Sequence, residues 1–417
     1  VQLFTGWQYL LIDAANNFGL DKELFEPRIE WAEANLDNLE AIAKDAENFP
    51  RFMKSVMAIR KAQSGLPTGH LVGFDACCSG IQIMSAITGC EAGARATGMI
   101  DPNRRADAYS DCTLEMNAIL GGVLNVSRKD AKNALMTAMY ASRRQPRKIF
   151  GKDTPELAAF YQAVQIICPG AWELLQELLA SWQPFALKHA WKLPDGYDAV
   201  VKVMQKIEGE ARNRIEVDEL DGATFTYIWY ENEGSERGLS NVANVVHSID
   251  AYVLRCLIRL CNYDRELITY VNSVVELELL ARACGEGASP VIERDEQLDY
   301  YISQYTRSQM PDIVIAQHLT EFNVGQCSTQ HLQQLRSIME TMLVYKPFEI
   351  VSIHDEFQCH ANNMNHLRQQ YINVFALLAE SEILSDILGQ LHNCTGRYPK
   401  KDPNLASKIR QSNYMLS

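Results

Sequence analysis

The sequence predicts an α+β fold, chiefly helical with a small antiparallel sheet, and three observations carry that expectation. Apolar residues recur at helical spacing over long stretches, two short apolar runs each stop at an aspartate, and one segment has two alternating arms about an Asp-Gly pair.

The helical signal begins early. WAEANLDNLEAIAKDAE (31–47) places Ala32, Leu36, Leu39, Ala43 and Ala46 at alternating four- and three-residue steps among charges, within a mostly helical lead-in of about 60 residues. Residues 155–190 read as helical again, and NVVHSIDAYVLRCLIRL (244–260) reads as a helix opening at His247. In LPTGHLVGFDACCSGIQIMSAI an apolar stretch, 71–74, ends at Asp75, passes through small residues and re-enters an apolar helix, which predicts strand, turn and helix. FEIVSIHDEFQCHAN (348–362) predicts a second strand that stops at His354-Asp355-Glu356. Between residues 212 and 230, RIEVDEL and ATFTYIWY read as hairpin arms about Asp221-Gly222. The stretch 262–325, with charged helical pieces, Gly285, Gly287 and two prolines, reads as an insertion rather than a core element. No internal repeat or low-complexity linker is present.

Composition narrows the class. The chain has 417 residues, 47% of them apolar and 22% charged, which fits two or three packed lobes and excludes disorder and collagen-like repeats. Its 11 cysteines include the neighbours Cys77 and Cys78 but no C-x-x-C, the pattern of free thiols in a reducing compartment, and a cytoplasmic protein is expected. No apolar run approaches the roughly 18 residues of a membrane span, and VQLFTGWQYL lacks the features of a signal peptide. A first residue of Val implies processing or a start inside a longer product. The net charge of −13 opposes nucleic-acid binding by the molecule as a whole. Locally the balance reverses: 127–152 carries eight Lys or Arg and a single Asp. A solvated helix face would produce the same island.

As a helix, 128–140 brings Arg128, Lys132, Met136 and Tyr140 onto one stripe, with Ala131, Ala134, Leu135 and Ala138 on the packing side. A guanidinium, an ammonium and a phenol in line suit a polyphosphate at one end and a ring or sugar at the other. An amphipathic helix with snorkelling cations has the same pattern. Asp75 and Asp355, each where an apolar run meets a turn, can share Mg²⁺, and each taken alone can equally cap its turn.

Taken together and in order, D-x-x-x-S-G-I-Q, R-x-x-x-K-x-x-x-M-x-x-x-Y and H-D-E resemble the three motifs of the single-subunit RNA polymerase family of bacteriophages and mitochondria. AANNFGLDKELFEPRIEW (14–31), HAWKLPDGY (189–197) and NVVHSIDA (244–251) extend the resemblance over residues 14 to about 390. It implies a right-hand polymerase palm, a small antiparallel sheet with helices, plus mostly helical fingers. Residues 1–103 would be the first part of the palm, 104–246 the fingers and 247–417 the second part of the palm, with 262–325 inserted. The hairpin 212–230 is similar by position to the family's promoter-reading loop. The implied chemistry is nucleotidyl transfer from NTPs to an RNA 3′ end on a DNA template. Asp75 and Asp355 would bind two Mg²⁺ ions, and Lys22, Arg128 and Lys132 would contact the triphosphate, Lys132 also serving as the acid for pyrophosphate. Tyr140 would sense the sugar and His247 the new base pair.

The sequence departs from the family in three places: HDE as the third motif, which is the form in related DNA polymerases; a longer span between His247 and Asp355; and Ala141 after Tyr140 where the family has glycine. Gly80, five residues after Asp75, stands where those DNA polymerases carry a glutamate that excludes the 2′-hydroxyl, and so points to ribonucleotides. A family-A-like DNA polymerase and a catalytically inactive scaffold are the alternatives. Only 21 residues precede Lys22, so the N-terminal domain, the thumb and the D/T-x-x-G-R motif are expected on a second polypeptide. That split resembles the two-chain RNA polymerase of Enquatrovirus-like bacteriophages. DNA template, RNA product, NTPs and a further promoter-opening factor are the other expected partners, in the cytoplasm of the infected host.

Overall fold

The computed structural model describes residues 1–208, 213–227, 230–234 and 239–417. Helices dominate, and the strands are short: β1 Leu71–Asp75, β2 Lys188–Lys192, β3 Asp198–Lys202, β4 Gln205–Glu208, β5 Asn213–Val217, β6 Ala223–Tyr227, β7 Tyr230–Glu233, β8 Val351–Ile353 and β9 Glu356–His360. The mixed helical architecture with small antiparallel sheets follows the sequence expectation.

The sheet that organises the molecule has the order β1-β9-β8. Val72 and Phe74 alternate inward along β1, and β9 buries Phe357 and Cys359. The two strands run antiparallel from Leu71 opposite His360 to Asp75 opposite Glu356. After β1 the chain turns through Cys78, held at φ 63°, into the helix Ser79–Thr88, which is buried along nearly its whole length. Gln82 on that helix is fully enclosed and fully bonded. Its amide donates to the Thr97 and Met415 carbonyls at 2.9 and 3.0 Å, and its oxygen accepts from the Tyr371 hydroxyl at 2.8 Å.

The segment 412–417 lies along the open edge of β1. Ala76 bridges Leu416, and the Ser417 amide donates to the Asp75 carbonyl at 3.1 Å. Arg368, with almost no solvent exposure, ties this segment to the first residues. Its guanidinium donates to the Gln2 carbonyl, the Tyr9 hydroxyl, and both the carbonyl and side-chain oxygen of Asn413, and it lies 4.6 Å over the Phe25 ring. A second buried arginine, Arg28, bonds the Glu23 and Asp21 carbonyls and Asn16, fixing the loop that carries Lys22.

Several elements differ from their sequence expectation. The pattern over 31–47 is not one helix: Phe25–Ala34 ends at Asn35, whose side-chain amide donates to the Trp31 carbonyl at 2.8 Å. Asparagine competes there for the backbone groups that would propagate the helix. Short 3₁₀ and α turns follow, and Ala32, Leu39 and Ala43 still reach the core. Residues 155–190 hold two helices, Pro155–Ile167 and Pro169–Ala180, but 188–190 belong to β2, which pairs with β3. The helix expected to open at His247 begins at Leu239 and runs to Cys261, so His247 lies within it. The run ahead of His354 forms only the three-residue β8, with Val351 and Ile353 exposed. The hairpin is present as β5 against β6. Its loop is five residues long, a 3₁₀ turn at Asp218–Leu220 followed by Asp221 and Gly222, both at positive φ. Arg212, Ile228 and Trp229 lie outside the described residues.

Within 262–325 the helices Arg265–Ala283 and Glu296–Ser308 bury Ile268, Val271, Val275 and Leu298 in the same apolar cluster as the central sheet. A partly buried ion network pins this region. Asp195, in the β2–β3 loop, accepts from Arg255 at 2.6 Å and Arg259 at 3.3 Å, and Arg259 also meets Asp312 at 2.6 Å. All cysteines are free thiols, and among the described residues no helix is long and apolar enough to cross a membrane.

Because Arg368 satisfies acceptors on three separate segments, Arg368→Ala leaves them buried without a donor. We expect a loss of about 3 kcal/mol, read as a lower denaturant midpoint, whereas an exposed arginine such as Arg294 replaced by alanine should move it little.

Candidate active site

The β1–β9 register places Asp75 beside the two-residue turn His354-Asp355 that joins β8 to β9, and the Ala76 amide donates to the Asp355 carbonyl at 3.0 Å. His354 takes φ 57°, a left-handed conformation that is uncommon outside glycine, and Cys78 does the same on the other side of Asp75. Asp355 is therefore carried on a tight, strained turn and Asp75 sits at the strand end just ahead of another. Asp75 is exposed toward a polar cleft of about 800 Å³ that also contains Asp13, His70, Arg51 and Glu356. Asp355 faces a smaller cavity of about 100 Å³ bounded by Gly80, Tyr109, Met136 and Tyr140.

Negative charge accumulates here with little to balance it. Packing around its carboxyl, followed by the charges of Glu356 and Asp355, pushes the Asp75 pKa up to about 6. Asp250, one helical turn beyond His247, is likewise pushed up to about 6 by burial and by Asp355. Arg51 meets Glu356 at 2.9 Å and partly offsets the cluster. Among the described residues no group of three metal-ligating side chains is assembled. Two unneutralised aspartates fit Mg²⁺ nonetheless, because this ion takes one or two protein carboxylates and completes its shell with phosphate oxygens and water.

The helix Arg128–Ala138 forms the facing wall, with Ser127 as its N-cap. As the spacing predicts, Ala131, Ala134, Leu135 and Ala138 are buried, while Arg128 and Met136 are exposed and Lys132 is half-buried. Arg128 and Lys132 converge on the Tyr109 ring at 5.8 and 5.5 Å from its centroid. Arg128 also pairs with Asp107 at 2.6 Å. Lys22 bonds its neighbour Asp21 at 2.5 Å, and its charge reaches both Asp75 and Asp107.

Tyr140 lies just past the helix end, before Ala141 at φ 67°. Glycine adopts that conformation freely, and alanine is strained there by about 1 kcal/mol. The Tyr140 ring sits 4.8 Å from that of His247 and spreads over Gly80. A Cβ at residue 80 would come within 2.5 Å of the Tyr140 hydroxyl, so the absence of a side chain makes room for the phenol. Burial first, then Cys78, Asp250 and Asp355, raise the pKa of Tyr140 and keep it a neutral donor.

The structure thus brings Asp75, Asp355, Gly80, Tyr140 and His247 together, and sets Arg128, Lys132 and Lys22 beside them. Sequence reasoning missed Tyr109, Asp107, Asp250 and Arg51. Only Asp107 had a local signal, an N-cap aspartate ahead of the helix Ala108–Ile119.

Residues 4–152 match the DNA-dependent RNA polymerase family. That span holds Lys22, Asp75, Gly80, Arg128, Lys132 and Tyr140, while His247 and Asp355 lie beyond it. The chain is similar to the DNA-directed RNA polymerase of Pseudomonas phage phiKMV, 33% identical over 122 residues, 25% of this chain and 15% of the relative. It is also similar to the DNA-directed RNA polymerase of Enterobacteria phage T3, 28% identical over 37% of this chain and 17% of that one. The T7 RNA polymerase of Escherichia phage T7 is 31% identical over 28% of this chain and 14% of its own length. The matched part of the chain thus spans about one sixth of these curated relatives.

The raised pKa of Asp75 has a consequence for stability. A carboxyl protonating near 6 when folded and near 3.8 when unfolded weakens the fold above pH 6, and that penalty fades as pH falls toward 3.8. In the absence of divalent ions, Asp75→Asn should therefore raise the denaturation midpoint at pH 8, by about 1 kcal/mol after solvent screening, with the gain gone at pH 4. A gain independent of pH would contradict this.

Proposed function

We propose that this chain is the catalytic palm and fingers of a DNA-directed RNA polymerase. Residues 1–103 and 247–417 would form the palm, 104–246 the fingers, and the β5–β6 hairpin would lie where promoter DNA is read. The observation that carries the proposal is the meeting of Asp75 and Asp355 at one sheet end, opposite a helix bearing Arg128 and Lys132 and next to Tyr140 packed over Gly80.

Asp75 and Asp355 would hold two Mg²⁺ ions, which when bound activate the RNA 3′-hydroxyl and stabilise the leaving pyrophosphate. Arg128, Lys132 and Lys22 grip the triphosphate, and Lys132 is placed to give a proton to the departing pyrophosphate. Tyr140 donates its hydroxyl toward the ribose, in the space that a side chain at residue 80 would take. His247, its ring tilted against that of Tyr140, faces the newly formed base pair. Replacing Gly80 by glutamate would both displace Tyr140 and fill the sugar site, which is why ribonucleotides are the favoured substrate here. The second polypeptide expected from the sequence finds no support in the relatives.

The test is extension of an RNA primer on a single-stranded DNA template by the protein isolated with its natural assembly. NTP incorporation supports the proposal. dNTP incorporation alone would favour a DNA polymerase, and none at all an inactive scaffold.

Asp75→Ala or Asp355→Ala should abolish extension without loss of folding, since transition-state stabilisation is removed and packing is not. More than about 10% residual activity would exclude either residue from the metal site. Tyr140→Phe should keep extension but narrow the kcat/KM preference for NTP over dNTP by about tenfold, and Gly80→Glu should block NTP use. Full activity of Gly80→Glu would show that the sugar lies elsewhere.

A further inference from the structure

Arg128 does not stand free for a ligand. Its Nε donates to Oδ2 of Asp107 at 2.8 Å and to the Ser110 hydroxyl oxygen at 3.1 Å, and one terminal nitrogen lies 2.6 Å from the same Oδ2, although Asp107 caps one helix and Arg128 opens another. Asp107 does not depend on that partner. Its Oδ1 accepts the Tyr109 amide at 3.1 Å as the cap of the helix Ala108–Ile119, and its Oδ2 accepts the Ser110 hydroxyl at 2.7 Å. If Arg128 leaves, the carboxylate keeps a hydrogen bond on each oxygen. The pair is also open to water, with 41% of the Arg128 side chain and 17% of the Asp107 side chain exposed, and such pairs are weak.

Lys132 contrasts with this. It lies one turn further along the same stripe and shares the Tyr109 ring with Arg128, but among the described residues no carboxylate lies within ion-pair distance of its ammonium. One cation of the phosphate-binding stripe is therefore held by a bond that can be released, and the other is uncommitted.

We propose that Asp107 is an internal counter-ion that holds Arg128 while the site is empty and is displaced by the triphosphate of an incoming nucleotide. This rests on the nucleotide-binding role proposed for Arg128. The triphosphate meets Lys132 first and then exchanges with Asp107 for the guanidinium, which trades one anion for a stronger one. Asp107 is thus a positioning residue that weakens substrate affinity, since its charge remains beside the bound phosphates.

Asparagine at this position retains the cap acceptor and removes the charge. In calorimetric titration of the full chain with ATP, Asp107→Asn should lower the Kd by about fivefold, the factor corresponding to an exposed ion pair. In an Arg128→Gln background the same change should have no effect, because there is no guanidinium left to contest. A thermal melt of each variant checks that folding is retained, and Asp107→Ser, which also caps, should follow Asp107→Asn. If Asp107→Asn leaves the Kd unchanged or raises it, or if the two substitutions act additively, the counter-ion role is refuted and the nucleotide site stands. If the unaltered chain binds no ATP, both fall together.

Discussion

The pairing of β1 with β9 is the constraint on which the rest of this structure depends. It joins residues 71–75 to 356–360 across most of the chain, and its register decides that Asp75 lies beside Asp355. A slip of one residue would turn Asp75 to the other face of the sheet and send Phe74 into the cleft. The buried faces of Phe74, Phe357 and Cys359 hold that register, and the segment 412–417 closes the free edge of β1. Arg368 in turn anchors that segment to the first residues through Asn413 and Gln2.

Around this sheet the molecule separates its charges. Carboxylates gather where β1 ends and β9 begins, and packing around the carboxyls together with neighbouring negative charge makes Asp75 and Asp250 hold their protons more tightly than usual. Cations face this group, Arg128 and Lys132 from the opposite helix and Lys22 from a loop: Arg128 is paired with Asp107 and Lys22 with Asp21, while Lys132 lies over the face of Tyr109. In the function proposed above, a divalent ion would relieve the first group and a polyphosphate the second. An overall charge of −13 is compatible with such a site because the fields that matter act over a few ångströms.

The contacts at Tyr140 explain two features that look unrelated in the sequence. Gly80 leaves the space that the phenol occupies, where a Cβ would meet the Tyr140 hydroxyl, and Ala141 takes a left-handed conformation directly after that phenol. The position is fixed by packing from three separate segments, Gly80, Tyr140 and His247, each on its own helix or turn.

Much of this was legible in the sequence. The stripe from Arg128 to Tyr140, its alanine-rich packing side, the strand ending at Asp75 and the hairpin about Asp221-Gly222 all depend on local periodicity and turn chemistry, which the chain writes in consecutive residues. The exceptions are instructive. The 31–47 helix broke where Asn35 bonded the Trp31 carbonyl, and β8 shrank to three residues whose apolar side chains, Val351 and Ile353, are exposed and not in a core. Tertiary structure alone decided the company each residue keeps. Asp107 on Arg128, Tyr109 beneath Lys132, Asp250 near Asp355 and Arg51 on Glu356 join residues from separate elements. No periodicity encodes such pairs, because they exist only once the sheet register and helix packing have fixed distances between distant parts of the chain.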